Sequence, residues 1–88
     1  MTRVGPVLQA GPLADAILAA IRELNVEVQV IDRGSYLRVL VPERCRVTRA
    51  QVQRHAAAAF RLPQDLEQVM SSFQGRFFVS TEEARWEA

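Results

Sequence analysis

The sequence has no lysine, and all eleven of its cations are arginine. It has one cysteine, Cys45, so no internal disulfide framework is available. One histidine, His55, and that one thiol fall short of the three or four N and S ligands that a zinc site takes. Aromatic residues make up 7% of the chain and the formal net charge is +1. Nucleic-acid modules combine a strong positive field with aromatics set among the basic residues. The arginines between Glu43 and Pro63 (Arg44, Arg46, Arg49, Arg54 and Arg61) have only Phe60 among them, and read as a solvated helix face. No apolar run approaches the roughly 20 residues needed to cross a bilayer. No basic segment leads into an apolar one at the start, which predicts no signal peptide and, with the lone thiol, a cytoplasmic protein.

The 88 residues present are 49% hydrophobic and 24% charged, enough for one modest core. There is no internal repeat or linker, so residues 1–88 are expected to form a single domain. Val4 to Leu8 is apolar but contains Pro6, which predicts an edge strand or extended arm. Gly11-Pro12 opens a helix carried by Leu13, Ile17, Ala20, Ile21 and Leu24. Val26, Val28 and Val30 alternate with Glu27 and Gln29, Asp32 to Ser35 turn the chain, and Tyr36 to Val41 return it as a hairpin. Arg44 to Val47 reads as a short strand. Thr48 and Gln51 have capping-box spacing, which predicts a second helix over about Arg49 to Phe60. Leu66, Val69, Met70 and Phe73 recur at helical spacing, so a third helix is expected to run to Gly75. Strands follow at Arg76 to Val79 and Ala84 to Glu87. The class is α+β: β-hairpins forming a sheet packed against two to three helices.

Parts for catalysis are scarce. His55 and Cys45 fall on different elements, the acids are dispersed, and no glycine-rich loop matches a nucleotide fingerprint. The residues predict no catalytic, cofactor-binding or metal-ligating set. The segment Met70-Ser71-Ser72-Phe73-Gln74-Gly75-Arg76 concentrates two hydroxyls, an amide and a guanidinium, a composition that suits a helix terminus or an interaction surface.

Read together, the segments Val4-Gly5-Pro6-Val7, Ala10-Gly11, Val30-Ile31-Asp32-Arg33 with Tyr36, and Ser71-Ser72-Phe73-Gln74-Gly75-Arg76 resemble the effector, or coupling, proteins of soluble diiron monooxygenases. These include the regulatory proteins of methane, phenol, toluene and alkene monooxygenases. The resemblance runs from Val4 to Trp86. It implies an α+β protein without a cofactor, metal or small-molecule substrate of its own. Its partner would be a large diiron hydroxylase, not nucleic acid or a membrane, and its effect would be to reshape the hydroxylase active site and couple dioxygen activation to substrate oxidation. Val4, Gly5, Pro6 and the residues Ser71, Ser72, Phe73, Gln74, Gly75 and Arg76 match the family's partner-binding segments. Asp32, Arg33 and Tyr36 match its hairpin motif, as contacts or as scaffold; the Asp and Arg are able to pair across the turn. With three residues before Val4, the long N-terminal arm of the methane-oxidising members has no counterpart in the sequence. The Val-Gly-Pro start points to an aromatic- or alkene-oxidising system. The alternative reading of the same residues is a small-ligand-sensing regulatory domain built from paired β-α-β units, with Gly11 at a helix start receiving an anion.

Overall fold

A computed structural model describes residues 1–88. The elements run β1 (Arg3–Gln9), α1 (Pro12–Leu24), β2 (Gln29–Asp32), β3 (Tyr36–Pro42), β4 (Arg44–Thr48), α2 (Arg49–Gln53), α3 (Gln64–Val69), β5 (Met70–Gln74), β6 (Arg76–Val79) and β7 (Glu83–Glu87). The fold is α+β, with its strands divided between two antiparallel sheets ordered β2-β3-β1-β5 and β4-β7-β6. Every strand pairing is antiparallel, so β1 and β2, which flank β3, run parallel to each other and are joined by α1.

Helix α1 forms where the periodicity places it. Pro12 occupies the first turn, Asp15 lies near the positive end of the dipole and Arg22 near the negative end. Ala14, Ala16, Ile17, Ala20 and Ile21 face inward. The helix ends at Asn25, whose Nδ2 donates to the carbonyls of Ile21 (2.8 Å) and Arg46 (2.7 Å) while Oδ1 accepts from Arg46 N (3.0 Å). One side chain thus satisfies the helix end and fastens it to β4.

Eighteen buried residues form one core between α1 and the inner faces of both sheets, with Leu8, Val39, Leu66 and Trp86 among them. Each buried Leu or Ile side chain stabilises the fold by roughly 1.5–3 kcal/mol. The chain passes between sheets at two corners. Glu43 (φ 65°) turns β3 into β4, and Gly75 (φ 98°) turns β5 into β6.

Four local expectations are corrected. Strand β1 is not an edge: it lies between β3 and β5. Its ladder to β3 pairs Val4 with Val41 and Val7 with Arg38 but leaves Gly5 and Pro6 without partners, so the missing N–H of Pro6 breaks no bond on that side. Strand β2 begins at Gln29, not Val26, because Glu27 turns into the left-handed region (φ 55°) and leaves Val26 exposed. Helix α2 stops at Gln53. Thr48 Oγ1 caps it by accepting from Gln51 N (3.1 Å), but the Gln51 side chain reaches Glu23 instead of closing the box. Beyond it, Gln53 accepts from Phe60 N (2.9 Å) and donates to the Ala58 carbonyl (2.9 Å), holding a loop that buries Phe60 and Leu62. Helix α3 ends at Val69. Met70 to Gln74 become β5 because the free side of β1 offers them a ladder. Phe73 is therefore not in a helical core, and Gly75 is a corner between strands rather than a helix cap.

Candidate docking face

The outer face of the first sheet is not covered by a helix. On β1, Val7 is half-buried and lines the outer face beside the buried Gly5, while the Val4 and Pro6 side chains are fully buried. Val4 and Pro6 thus shape this region from within; their side chains do not reach its surface. Gly5 approaches β3 so closely that a Cβ would lie 2.3 Å from the Val39 carbonyl oxygen. On the other side, Gly5 pairs with Gln74, Pro6 with Phe73 and Val7 with Ser72, after which the register shifts and Ser71 bulges outward before Met70 pairs with Leu8.

These strands enclose a cleft of about 350 Å³. Gly5 and Val7 form its floor, Tyr36 and Arg38 of β3 one wall, and the strand Ser71 to Gln74 the other. Residues that are distant in sequence (Gly5, Tyr36 and 71–74) therefore meet in one place. Arg38 Nη2 donates to Gln74 Oε1 at 3.0 Å, reaching across β1 over the bare Gly5. Val7 belongs to the family-like Val4 to Val7 segment but is not among the residues expected to bind a partner, and Arg38 escapes sequence reasoning. The alternation of Leu37, Val39 and Val41 puts Arg38 on the outer face of β3, but which strand lies beside it is a long-range property.

Phe73 is 46% exposed at the rim. Its ring centroid lies 5.4 Å from that of Phe77, which stacks on Trp86 at 5.3 Å, so a line of rings runs from surface to core. Trp86 is fully buried, and its Nε1 has no hydrogen-bond partner. Arg76 stands outside the cleft. It donates through Nη2 to the Ala88 carbonyl (3.0 Å), and its guanidinium lies 5.8 Å from the Phe78 ring centroid.

At the hairpin tip, Asp32 Oδ1 accepts from Gly34 N (2.8 Å) and Arg33 N donates to the Tyr36 carbonyl (2.9 Å). Asp32 shapes the turn through the backbone, and no Asp32–Arg33 ion pair forms. Tyr36 projects into the cleft wall.

The remaining ionisable groups are dispersed. Cys45 is buried opposite Trp86 on the β4–β7 ladder, and burial pushes its thiol up to about 12. His55 lies on the surface, where its Nε2 meets Glu23 Oε1 at 2.7 Å. Hydrogen bonds from His55 and then from Gln51 hold the Glu23 carboxyl below its usual range. The arginine-rich stretch is not one helix face. Arg44 and Arg46 lie on β4, and Arg44, Arg46 and Arg49 pair with Glu87, Glu83 and Glu82. No group of three or more His, Cys, Asp or Glu side chains converges, and no helix is long and apolar enough to cross a membrane.

The architecture is that of a small α+β protein with an open, cleft-bearing sheet face. Residues 2–87 match the model of the MmoB/DmpM family, and the chain belongs to that family. It is 45% identical over 85 residues to the alkene monooxygenase system effector subunit of Xanthobacter autotrophicus (strain ATCC BAA-1158 / Py2), a match spanning 94% of this chain and 83% of the relative. The fold is also that of a chain in the solved structure of the phenol hydroxylase–regulatory protein complex. There the TM-score is 0.85 at 14% identity, over 100% of this chain and 99% of the other.

Proposed function

We propose that this chain is the effector of a multicomponent diiron monooxygenase: a cofactor-free, non-catalytic protein that binds the hydroxylase and couples dioxygen activation to substrate oxidation. The 45% identity to an alkene monooxygenase effector subunit supports an alkene-oxidising system over an aromatic one. The observation that carries the proposal is the meeting of Gly5, Tyr36 and Ser71 to Gln74 around one open cleft beside the exposed Phe73 ring. Those segments are the ones whose order in the sequence resembles the effector family.

The physical requirement is differential binding. An effector changes a hydroxylase only if it holds one hydroxylase conformation more tightly than another, since equal affinity for both shifts nothing. A twisted sheet face anchored on an 18-residue core is a stiff surface against which a mobile partner adjusts. Phe73 supplies an aromatic anchor, a residue type enriched at binding hot spots. Val4, Pro6 and Gly75 support the surface from beneath, and Asp32 and Arg33 set the hairpin that presents Tyr36. Ser71, Ser72 and Gln74 tune the polar fit, and Arg76 steadies the far end of the β5–β6 hairpin.

The test is reconstitution. The purified protein is added to the hydroxylase and reductase of its own system, and product formed per NADH is measured. The expected result is a rise in rate and in coupling that saturates with effector concentration. Unchanged rate, coupling and regioselectivity would reject the reading.

A further inference from the structure

We infer that the cleft between β3 and β5 receives a carboxylate side chain of the hydroxylase, with the Arg38 guanidinium as the group that recognises it. This rests on the effector reading and names the chemistry of its contact. The cleft lining contains one charged residue, Arg38, and no acid. Tyr36, Ser71 and Ser72 add hydroxyls around the same space. Arg38 itself is exposed, and its hydrogen bond within the chain is to a neutral amide, Gln74 Oε1. That bond engages one Arg38 N–H and leaves further N–H groups for an acceptor.

The second sheet treats its cations differently. Arg44, Arg46, Arg76 and Arg85 each lie within 4.0 Å of Glu83 or Glu87. Arg38 has no such acid, although its side chain is tied across β1 to Gln74. A cation that is both positioned and uncompensated, in a concavity of about 350 Å³ ringed by hydroxyls, complements a planar carboxylate presented by a partner. Gly5 lets β1 lie close against β3 beneath this site, because a Cβ there would collide with the Val39 backbone.

The absence of lysine from the sequence supplies the test. Arg38→Gln and Arg38→Lys are compared with the wild-type protein and with Arg22→Lys, whose substitution lies on α1. Affinity for the purified hydroxylase is measured by titration, with thermal melting as the check on folding. Arg38→Gln is expected to weaken binding at least tenfold while melting like the wild type, as loss of one member of a charged interface pair does. A carbodiimide joins an amine to a carboxylate in direct contact, forming an amide with loss of water. Arg38→Lys is therefore expected to give an amide between position 38 and one Asp or Glu of the hydroxylase, identified by mass spectrometry, and Arg22→Lys none. If Arg38→Gln binds within threefold of wild type, or if coupling involves only the N-terminal amine, the carboxylate contact is wrong. Should the wild-type protein still raise product per NADH in that case, the effector reading survives without it. A wild type that neither binds nor alters the hydroxylase overturns both.

Discussion

Gly75 rests against Val4: a Cβ placed on Gly75 would lie 2.7 Å from Val4 Cγ1 and 2.7 Å from the Glu87 carbonyl oxygen. The corner that turns β5 into β6 is thereby pressed onto β1 and β7 together. The two ends of the sequence, each contributing a family-like segment, meet at a point where only hydrogen fits. Gly75 also has φ 98°, a region that L side chains rarely adopt.

Gly75→Ala is accordingly expected to destabilise the fold by at least about 1–3 kcal/mol from backbone strain, with the steric clash added. For a domain of this size, a loss of 1 kcal/mol lowers the melting temperature by about 4–8 °C. Calorimetry measures it directly. An unchanged melting temperature would mean that the corner relaxes freely and does not hold the two sheets together.

Trp86 provides a second test. Its indole is buried against Phe77 with Nε1 unpaired, which costs about 1–3 kcal/mol for the donor alone. Trp86→Phe removes that donor while keeping a ring, so its cost is expected to stay within about 1.5 kcal/mol. Trp86→Ala leaves a cavity and is expected to cost about 3–5 kcal/mol. Denaturant titration followed by circular dichroism separates them. Equal losses for the two variants would show that the unpaired N–H is not a burden.

Cys45 is expected to resist thiol reagents in the native protein at mildly alkaline pH and to react fully once denatured, because it is buried and its thiol is pushed up to about 12. The sign for stability follows. The thiol ionises in the unfolded chain above its usual 9.0 but stays protonated in the fold, so stability is full below 9.0 and declines as pH rises toward about 12. Rapid labelling of the folded protein would contradict the burial.

Acid acts through Glu23 and Asp65. Bonds from His55 and Gln51 lower the first, and the Arg61 backbone N–H and side chain lower the second. Carboxyls depressed in the fold contribute stability above their unfolded values of 4.5 and 3.8, and that contribution is lost as pH falls through the lower folded values. Melting temperatures from about pH 7 to about pH 3 are expected to drop on the acid side, and less steeply in Glu23→Gln. Parallel acid limbs in the two proteins would remove Glu23 from the account.

Phe73→Ala separates docking from folding. With its ring 46% exposed, the substitution is expected to cost no more than about 1.5 kcal/mol of stability. Affinity for the hydroxylase is expected to fall by about 2 kcal/mol or more, roughly thirtyfold, and coupling with it. Intact coupling in a folded Phe73→Ala protein would place the anchor elsewhere.

Much of the fold is legible in short stretches of sequence. The Leu13 to Leu24 periodicity yields α1. The run through Asp32 and Gly34 yields the hairpin tip, and β4, β6 and β7 lie within one residue of the strands expected at Arg44 to Val47, Arg76 to Val79 and Ala84 to Glu87. The failures share a cause. Leu66, Val69, Met70 and Phe73 match a helical template, yet a ladder against β1 takes the last two. The alanine-rich stretch after Gln53 has helix propensity but no bulky face to bury, so the side-chain bonds of Gln53 and the burial of Phe60 and Leu62 decide its path. Asn25 gave no signal at all, because its partner carbonyl on Arg46 becomes a neighbour only in the folded chain.

The sequence by itself settles the α+β class, the helix that builds the core and the family to which the chain belongs, since these depend on local periodicity and on the order of short segments. Tertiary structure alone decides that β1 is central, that Met70 to Gln74 is a strand and that Arg38 joins Gly5, Tyr36 and Ser71 to Gln74 at one cleft. The reason is physical. A strand's neighbours are chosen by hydrogen bonds and burial between residues far apart in the chain, and no periodicity within either strand records which partner will complete its ladder.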